Sequence, residues 1–168
     1  MKKRISYGII FVIKLLQKGV YYIIMDKTEL AKEIFATGAN CCQAVVLAFK
    51  DELGVDELTL KKLSIGLGGG VARQRLVCGA VSGMVMVLGY LKSDGKDKLS
   101  AYSAGQKACE KFKQQVGSLI CSDLLSGKVK VETSPKPDER TEEYYKKRPC
   151  SEMVALAVQI AEEIINQE

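Results

Sequence analysis

Between Cys78 and Leu91 the chain is apolar almost all the way round a helix. Val81, Met84, Val85, Met86, Val87 and Leu88 alternate with or follow the small residues Gly79, Ala80, Ser82 and Gly83. A helix with no polar face has to be covered by its neighbours, and small residues in its first turns let another backbone or a bound group come close. The segments on either side are cut to supply that cover. Asp26 is placed to cap a helix over Lys27–Thr37, with Leu30, Ile34 and Phe35 on one face and Gly38 as its stop. Asn40 is placed to cap an amphipathic helix over Cys41–Leu53, with Val45, Val46, Ala48 and Phe49 inward and Gly54 ending it. Asp56 begins a third helix that cannot continue through Gly66-Leu67-Gly68-Gly69-Gly70.

After the apolar helix, Ser93–Lys96 reads as a loop and Lys98–Val116 as an exposed helix closed by Gly117. Ser118 is expected to cap a short helix that carries Cys121, Leu124 and Leu125 and stops at Gly127. Lys128–Arg148 holds Pro135, Pro137 and twelve charged residues. It therefore reads as a surface excursion, with one helical turn near Tyr144 and Tyr145 acting as a latch. Cys150 opens a last helix in which Met153, Val154, Leu156, Ala157, Ile160, Ala161 and Ile164 keep a helical period. The expected fold is all-α, a compact bundle of about six short-to-medium helices around a central apolar helix at about residues 78–91, with no strand pair and no internal repeat from Asp26 onward. Residues 26–168 form one expected domain, preceded by an apolar and basic extension over 1–25.

That extension carries Lys2, Lys3, Arg4, Lys14 and Lys18 and no acid, which leaves 20 basic residues facing 20 acidic ones in the remainder. The net charge of +5 is thus a property of the extension, and the body is balanced. With no tryptophan and no basic stripe interleaved with aromatics, nucleic acid is not an expected partner. Lysines at 14 and 18 would each cost roughly 2.5–3.5 kcal/mol at a bilayer centre, which argues against a spanning helix over Ile5–Ile24. Three readings of the extension stay open: an interfacial basic helix, a strand or helix that packs on the domain, or an upstream addition to a chain that starts naturally at Met25 instead of Met1. Membrane contact is expected only under the first, as peripheral association of an otherwise cytoplasmic protein.

The sequence contains six cysteines and no histidine. Lack of histidine rules out a Ser-His-Asp triad, a Cys-His nucleophile and mixed Cys/His metal ligation, so a soft metal would have to be held mainly by thiolates. Cys41, Cys78, Cys121 and Cys150 each stand where a helix is expected to begin. Unpaired N–H groups there favour a thiolate, and this makes the four thiols candidate nucleophiles and metal ligands. None belongs to a C-x-x-C pair. Cys109 reads as a small core residue, and Cys42 as core filler or a spare thiol beside the site. Gly68, Gly69 and Gly70, followed by Arg73 and Arg75, form either a tight connection towards Cys78 or a cradle of N–H groups for a cofactor or anion; Gly79 and Gly83 allow a close approach to the same region.

Asn40-Cys41-Cys42-Gln43-Ala44-Val45, Gly68-Gly69-Gly70, Cys78-Gly79-Ala80-Val81-Ser82-Gly83, Gly117-x-x-x-Cys121-x-x-Leu124-Leu125 and Cys150, in that order, resemble the C_GCAxxG_C_C family, whose members are regarded as redox-active. The family name writes Gly-Cys-Ala where this chain has Val77-Cys78-Gly79-Ala80. The resemblance implies a small bacterial or archaeal protein whose four signature cysteines match Cys41, Cys78, Cys121 and Cys150.

Three functional classes follow. The first is electron transfer, with the four thiolates converging on an iron–sulfur cluster or working as a dithiol/disulfide couple that needs no cofactor, either as an oxidoreductase component or alongside one, and serving a redox partner protein. The second is a structural four-cysteine zinc site. The third is a binding or assembly module with unligated thiols. Homo-oligomerisation is left open. All of the redox readings require the four sulfurs, remote in sequence, to meet in space.

Overall fold

The computed structural model describes residues 11–14, 21–24 and 26–167. From Asp26 onward the described structure is helical: α1 (Lys27–Ala36), α2 (Cys41–Ala48), α3 (Lys50–Leu53), α4 (Glu57–Ser64), a 3-10 turn (Ile65–Leu67), α5 (Gly79–Leu91), α6 (Lys98–Val116), α7 (Cys121–Leu125), α8 (Glu142–Lys147) and α9 (Cys150–Ile165). In the extension, β1 (Phe11–Lys14) pairs antiparallel with β2 (Tyr21–Ile24), with Phe11 opposite Ile24 and Lys14 opposite Tyr21. This hairpin lies in the extension, for which a strand is among the open readings, and from Asp26 onward the described residues form no strand. Its strands, Phe-Val-Ile-Lys and Tyr-Tyr-Ile-Ile, are rich in the β-branched and aromatic residues that favour pairing. Lys2, Lys3, Arg4, Lys18 and Met25 lie outside the described residues. Among the described residues no helix is long and apolar enough to cross a membrane.

The helix starts follow the capping chemistry. The Asp26 side chain accepts the Thr28 N–H at 2.8 Å, and the Asp56 side chain accepts that of Thr59 at 3.0 Å. Asn40 and Gln43 form a capping box: Asn40 Oδ1 accepts the Cys42 and Gln43 N–H groups, each at 3.0 Å, while Gln43 Oε1 accepts the Asn40 N–H at 3.0 Å. The spare amide nitrogens then reach outward, Asn40 Nδ2 donating to the Ile65 carbonyl and Gln43 Nε2 to that of Lys61. A single cap therefore starts α2 and also fastens it to the α4 end.

Two expectations about α2 are corrected. The helix does not run to Leu53, because it breaks at Phe49 (φ −106°, ψ 17°) and resumes as the single turn α3. It is also not amphipathic, since all eight of its residues are buried. Four neighbours, α1, α4, α5 and α9, pack around it. The middle of the body is shared: α2, α5 and α9 each touch the other two. On α5, Gly79, Ala80, Val81, Gly83, Met84, Val87 and Leu88 are buried, while Val85 and Tyr90 face outward at 37% and 57% exposure. Phe35, Phe49 and Phe112 are fully buried, each contributing about 1.5–3 kcal/mol of apolar transfer. Gly83 serves this packing directly, because a Cβ there would stand 2.9 Å from the Cys42 carbonyl oxygen and 2.9 Å from the Val45 Cβ.

Candidate functional site

The connection from α4 to α5 carries an unusual backbone. Gly69 and Gly70 and then Val71, Ala72 and Arg73 all have φ between 49° and 73°, and Arg75 follows at 64°. For a residue with a Cβ the left-handed region costs roughly 1–2 kcal/mol. Four such residues within five positions therefore mark a site where the surroundings hold the chain against its preference. Backbone hydrogen bonds do the holding: the Ala72 N–H donates to the Gly66 carbonyl at 2.7 Å, Arg73 to Gly68 at 3.1 Å, Arg75 to Gly69 at 3.2 Å and Leu76 to Gly70 at 3.1 Å.

This turn delivers Cys78 to Cys121. The Cys121 N–H donates to the Leu76 carbonyl at 2.6 Å, that of Ser122 to Arg75 at 3.1 Å, and that of Cys78 to Leu119 at 2.8 Å. Val77 and Ile120 close an isolated antiparallel bridge between them. Ser118 does not cap α7, as the sequence suggested. The capping position belongs to Ile120, and the Ser118 hydroxyl braces the approach by accepting the Ile120 N–H at 3.0 Å and donating to Asp123 at 2.7 Å.

Cys41, Cys78, Cys121 and Cys150 all line one cavity of about 360 Å³. Cys41, Cys121 and Cys150 are the first residues of α2, α7 and α9, and Cys78 is the N-cap of α5. Gly68, Gly69 and Gly79 line the cavity too, while Gly70 and Gly83 do not. Gly70 lies behind Cys121, and Gly83 sits in the α2–α5 contact. Cys42 is fully buried with its sulfur 3.8 Å from that of Met86, and Cys109 packs half-buried against the core.

The excursion over 128–148 lies on the surface, as expected, with no residue buried, and part of it also faces the cavity. It folds back over the cavity, bringing Asp138, Arg140, Tyr144 and Arg148 into the lining beside Arg73 and Arg75. Asp138 is the hub. Arg73 grips it with two nitrogens at 2.9 and 3.2 Å, Arg148 approaches at 3.1 Å and Arg75 at 3.9 Å. The Arg73 contact, reinforced by the other guanidiniums, holds the Asp138 carboxyl below the usual carboxylate range. Tyr144 and Tyr145 do act as a latch: the Tyr145 hydroxyl donates to the Ala36 carbonyl at 3.0 Å, and its ring meets Phe35 edge-on at 5.7 Å. The Arg140 guanidinium lies 4.6 Å from the centre of the Tyr144 ring and 4.9 Å from that of Phe35.

Helix starts alone do not make these thiols acidic, and here the sequence expectation is corrected. Burial pushes the Cys78 thiol up to about 12, and the α5 amides of Ala80 and Val81 offset only part of that. Burial likewise raises Cys121 despite the Arg75 guanidinium beside it. Desolvation of a thiolate outweighs a partial charge at a helix end, and at Cys121 it outweighs a neighbouring guanidinium as well. Cys150 is the exception. Its partner Cys41 keeps the shared proton and stabilises the Cys150 thiolate, Arg148, Arg140 and Arg75 add their charge, and the Cys150 thiol falls to about 7. Cys41 moves the opposite way, held well above the ordinary range first by its contact with Cys150 and then by burial.

All six cysteines are unbridged thiols. As arranged, Cys41 is paired with Cys150 and Cys121 faces Arg75. Among the described residues no three Cys, Asp or Glu side chains stand in a constellation that could hold a metal ion. The cluster and zinc expectations thus draw no support from this geometry. Asp138, Arg140 and Arg148 escaped the sequence reading because their segment has the composition of a solvated loop. One signal was present, the arginine two positions before Cys150 in Arg148-Pro149-Cys150.

A family model described as "Putative redox-active protein (C_GCAxxG_C_C)" matches residues 39–164, a span that holds all four cavity cysteines. Comparisons with curated proteins and with solved structures returned no match.

Proposed function

The chain belongs to the C_GCAxxG_C_C family, and from that premise we propose that it is a redox protein in which Cys41 and Cys150 form a reversible dithiol/disulfide couple in a cavity that Cys78 and Cys121 also line. The observation that carries this reading is that Cys41 and Cys150, the first residues of α2 and α9, line one cavity together with Arg75, Arg140 and Arg148, and that Cys41 and these arginines favour the Cys150 thiolate. A thiolate beside a protonated thiol is the arrangement that thiol–disulfide exchange requires.

In the exchange, the Cys150 thiolate attacks one sulfur of an acceptor disulfide. The acceptor S–S bond breaks, and the first leaving thiolate takes a proton from solvent. Cys41 then gives up its proton and attacks the Cys150 sulfur of the mixed disulfide, which releases the second thiolate. Cys41 and Cys150 end joined by a disulfide, having passed two electrons to the acceptor, and an external dithiol restores them. Arg140 and Arg148 stay in place throughout and hold the negative charge at Cys150.

The test combines peptide mapping with metal quantitation on protein purified without oxygen. The expected result is loss of two hydrogens on mild oxidation, a cross-linked Cys41–Cys150 peptide, and no such couple in Cys150→Ser. Stoichiometric iron or zinc held by the four thiolates, or a couple that survives Cys150→Ser, would overturn the proposal.

A further inference from the structure

Four guanidiniums, those of Arg73, Arg75, Arg140 and Arg148, line the cavity that holds Cys150, and Asp138 is the one carboxylate on its wall. Three of them are committed. Arg73, Arg75 and Arg148 converge on Asp138, and Arg73 and Arg75 also donate to the Ser134 and Glu132 carbonyls at 2.7 and 2.9 Å. Arg140 differs, because it has no carboxylate partner among the described residues. Its Nη2 makes a long contact of 3.4 Å with the Ala39 carbonyl, and its Nη1 is buried with no hydrogen-bond partner at all. A buried guanidinium nitrogen without an acceptor costs about 1–3 kcal/mol or more. The face of this guanidinium is covered by Phe35 and Tyr144, which leaves its edge for a planar acceptor such as a carboxylate.

We propose that the cavity selects for a carboxylate on the small molecule that Cys150 attacks, with Arg140 as the residue that receives it. The inference rests on Cys150 being the reacting thiol, as proposed above. With four cations against one fixed anion, the cavity still carries positive charge after Cys150 ionises, so a negatively charged substrate is drawn in. Its volume of about 360 Å³ lies at the small end of the range of roughly 300–1,000 Å³ found for ligand sites. The substrate class is therefore a small carboxylate-bearing disulfide, reduced by the two-electron exchange already described. Arg140 is a binding residue in this scheme; beyond its charge beside Cys150 it exchanges no proton or electron in the transfer.

Two alkylating reagents that differ only in charge test the idea. Iodoacetate and iodoacetamide each form a thioether with the Cys150 sulfur and release iodide, and carboxymethylation against carbamidomethylation of the Cys150 peptide is read by mass spectrometry. The reference is the same ratio in the urea-unfolded chain. The folded wild type should favour iodoacetate at Cys150 by at least tenfold over that reference, and Arg140→Gln should lose most of the preference while its circular dichroism stays helical. A wild-type ratio equal to the unfolded one overturns the proposal without recourse to any variant, and an unchanged ratio in Arg140→Gln overturns the assignment to Arg140. A second arm separates this inference from the redox reading, by comparing reduction of dithiodipropionate, a dianion, with that of neutral hydroxyethyl disulfide. Equal reduction of both with no alkylation preference leaves the redox reading standing and overturns carboxylate selection. An alkylation preference with neither disulfide reduced supports carboxylate selection and overturns the redox reading.

Discussion

Gly70 stands directly behind Cys121: a Cβ added to Gly70 would lie 2.7 Å from the Cys121 Cβ and 2.8 Å from the Leu76 nitrogen. Its φ of +73° places it in the left-handed region as well. The glycine thus sets how far Cys121 can retreat from the cavity, and it does so through contact and backbone conformation together.

Gly70→Ala should destabilise the protein by roughly 2–4 kcal/mol, from left-handed strain plus a contact that backbone atoms cannot relieve. Gly66→Ala serves as the control, since nothing lies within 4 Å of a Cβ at that position. It should be neutral within about 1 kcal/mol. Urea unfolding midpoints of the two variants check the contrast.

Asp138→Asn should loosen the closing segment and expose it to protease. The carboxylate is 36% exposed, so the stability loss should be roughly 1–2 kcal/mol, between the values for surface and buried pairs. With its charge gone, the arginines act on Cys150 unopposed, and alkylation of Cys150 should shift to lower pH. Because the folded-state shift of Asp138 is downward, its stabilising contribution is present above the ordinary carboxylate range and is lost as the pH falls through the still lower folded value. Acid unfolding of Asp138→Asn should therefore be flatter than that of the wild type.

Among the cavity thiols, Cys150 should react first. Its rate with iodoacetamide should rise with a midpoint near pH 7, whereas Cys78, held near 12, should stay almost unreactive through pH 9 in the folded protein. Peptide-resolved alkylation over pH 5–10 reads both. A midpoint for Cys150 in the range of an unperturbed thiol would contradict the role given to its arginine neighbours. The downward shift also adds stability that is complete above the ordinary thiol range and is lost as the pH falls through about 7.

Alkali should destabilise the fold. Cys42 and Cys78 are both buried with thiols raised from 9.0 to about 12. Their protonated state stabilises the native form fully below the unfolded value, and that stabilisation is lost as the pH rises towards 12. Each thiol contributes a loss of about 1.4 kcal/mol per pH unit over that window. Cys42→Ala should flatten the decline while costing roughly 1 kcal/mol at neutral pH for the vacated sulfur. Urea melts at pH 8, 9.5 and 11 test both arms.

Helix boundaries were legible because the signals that set them are local. Asp26, Asn40 and Asp56 each bond N–H groups two or three residues away, and Gly54 and Gly117 end their helices in the left-handed region. The break at Phe49 and the complete burial of α2 were not legible, since both depend on four helices that pack around α2 from elsewhere in the chain. In the extension, a short run of β-branched and aromatic residues suits a strand or a helix, so its local sequence left both open and the pairing of β1 with β2 decides between them.

The sequence by itself determined the thiol side of the site: four cysteines at helix starts, a glycine turn, and no histidine to share the chemistry. Only the tertiary structure decided which of those thiols ionises. Thiolate stability depends on burial and on full charges within a few ångströms, and the arginines that supply the charge come from segments on both sides of α5 and α6. A helix start can be read from a few neighbouring residues, whereas the balance between desolvation and Coulomb attraction exists only after the chain has closed on itself.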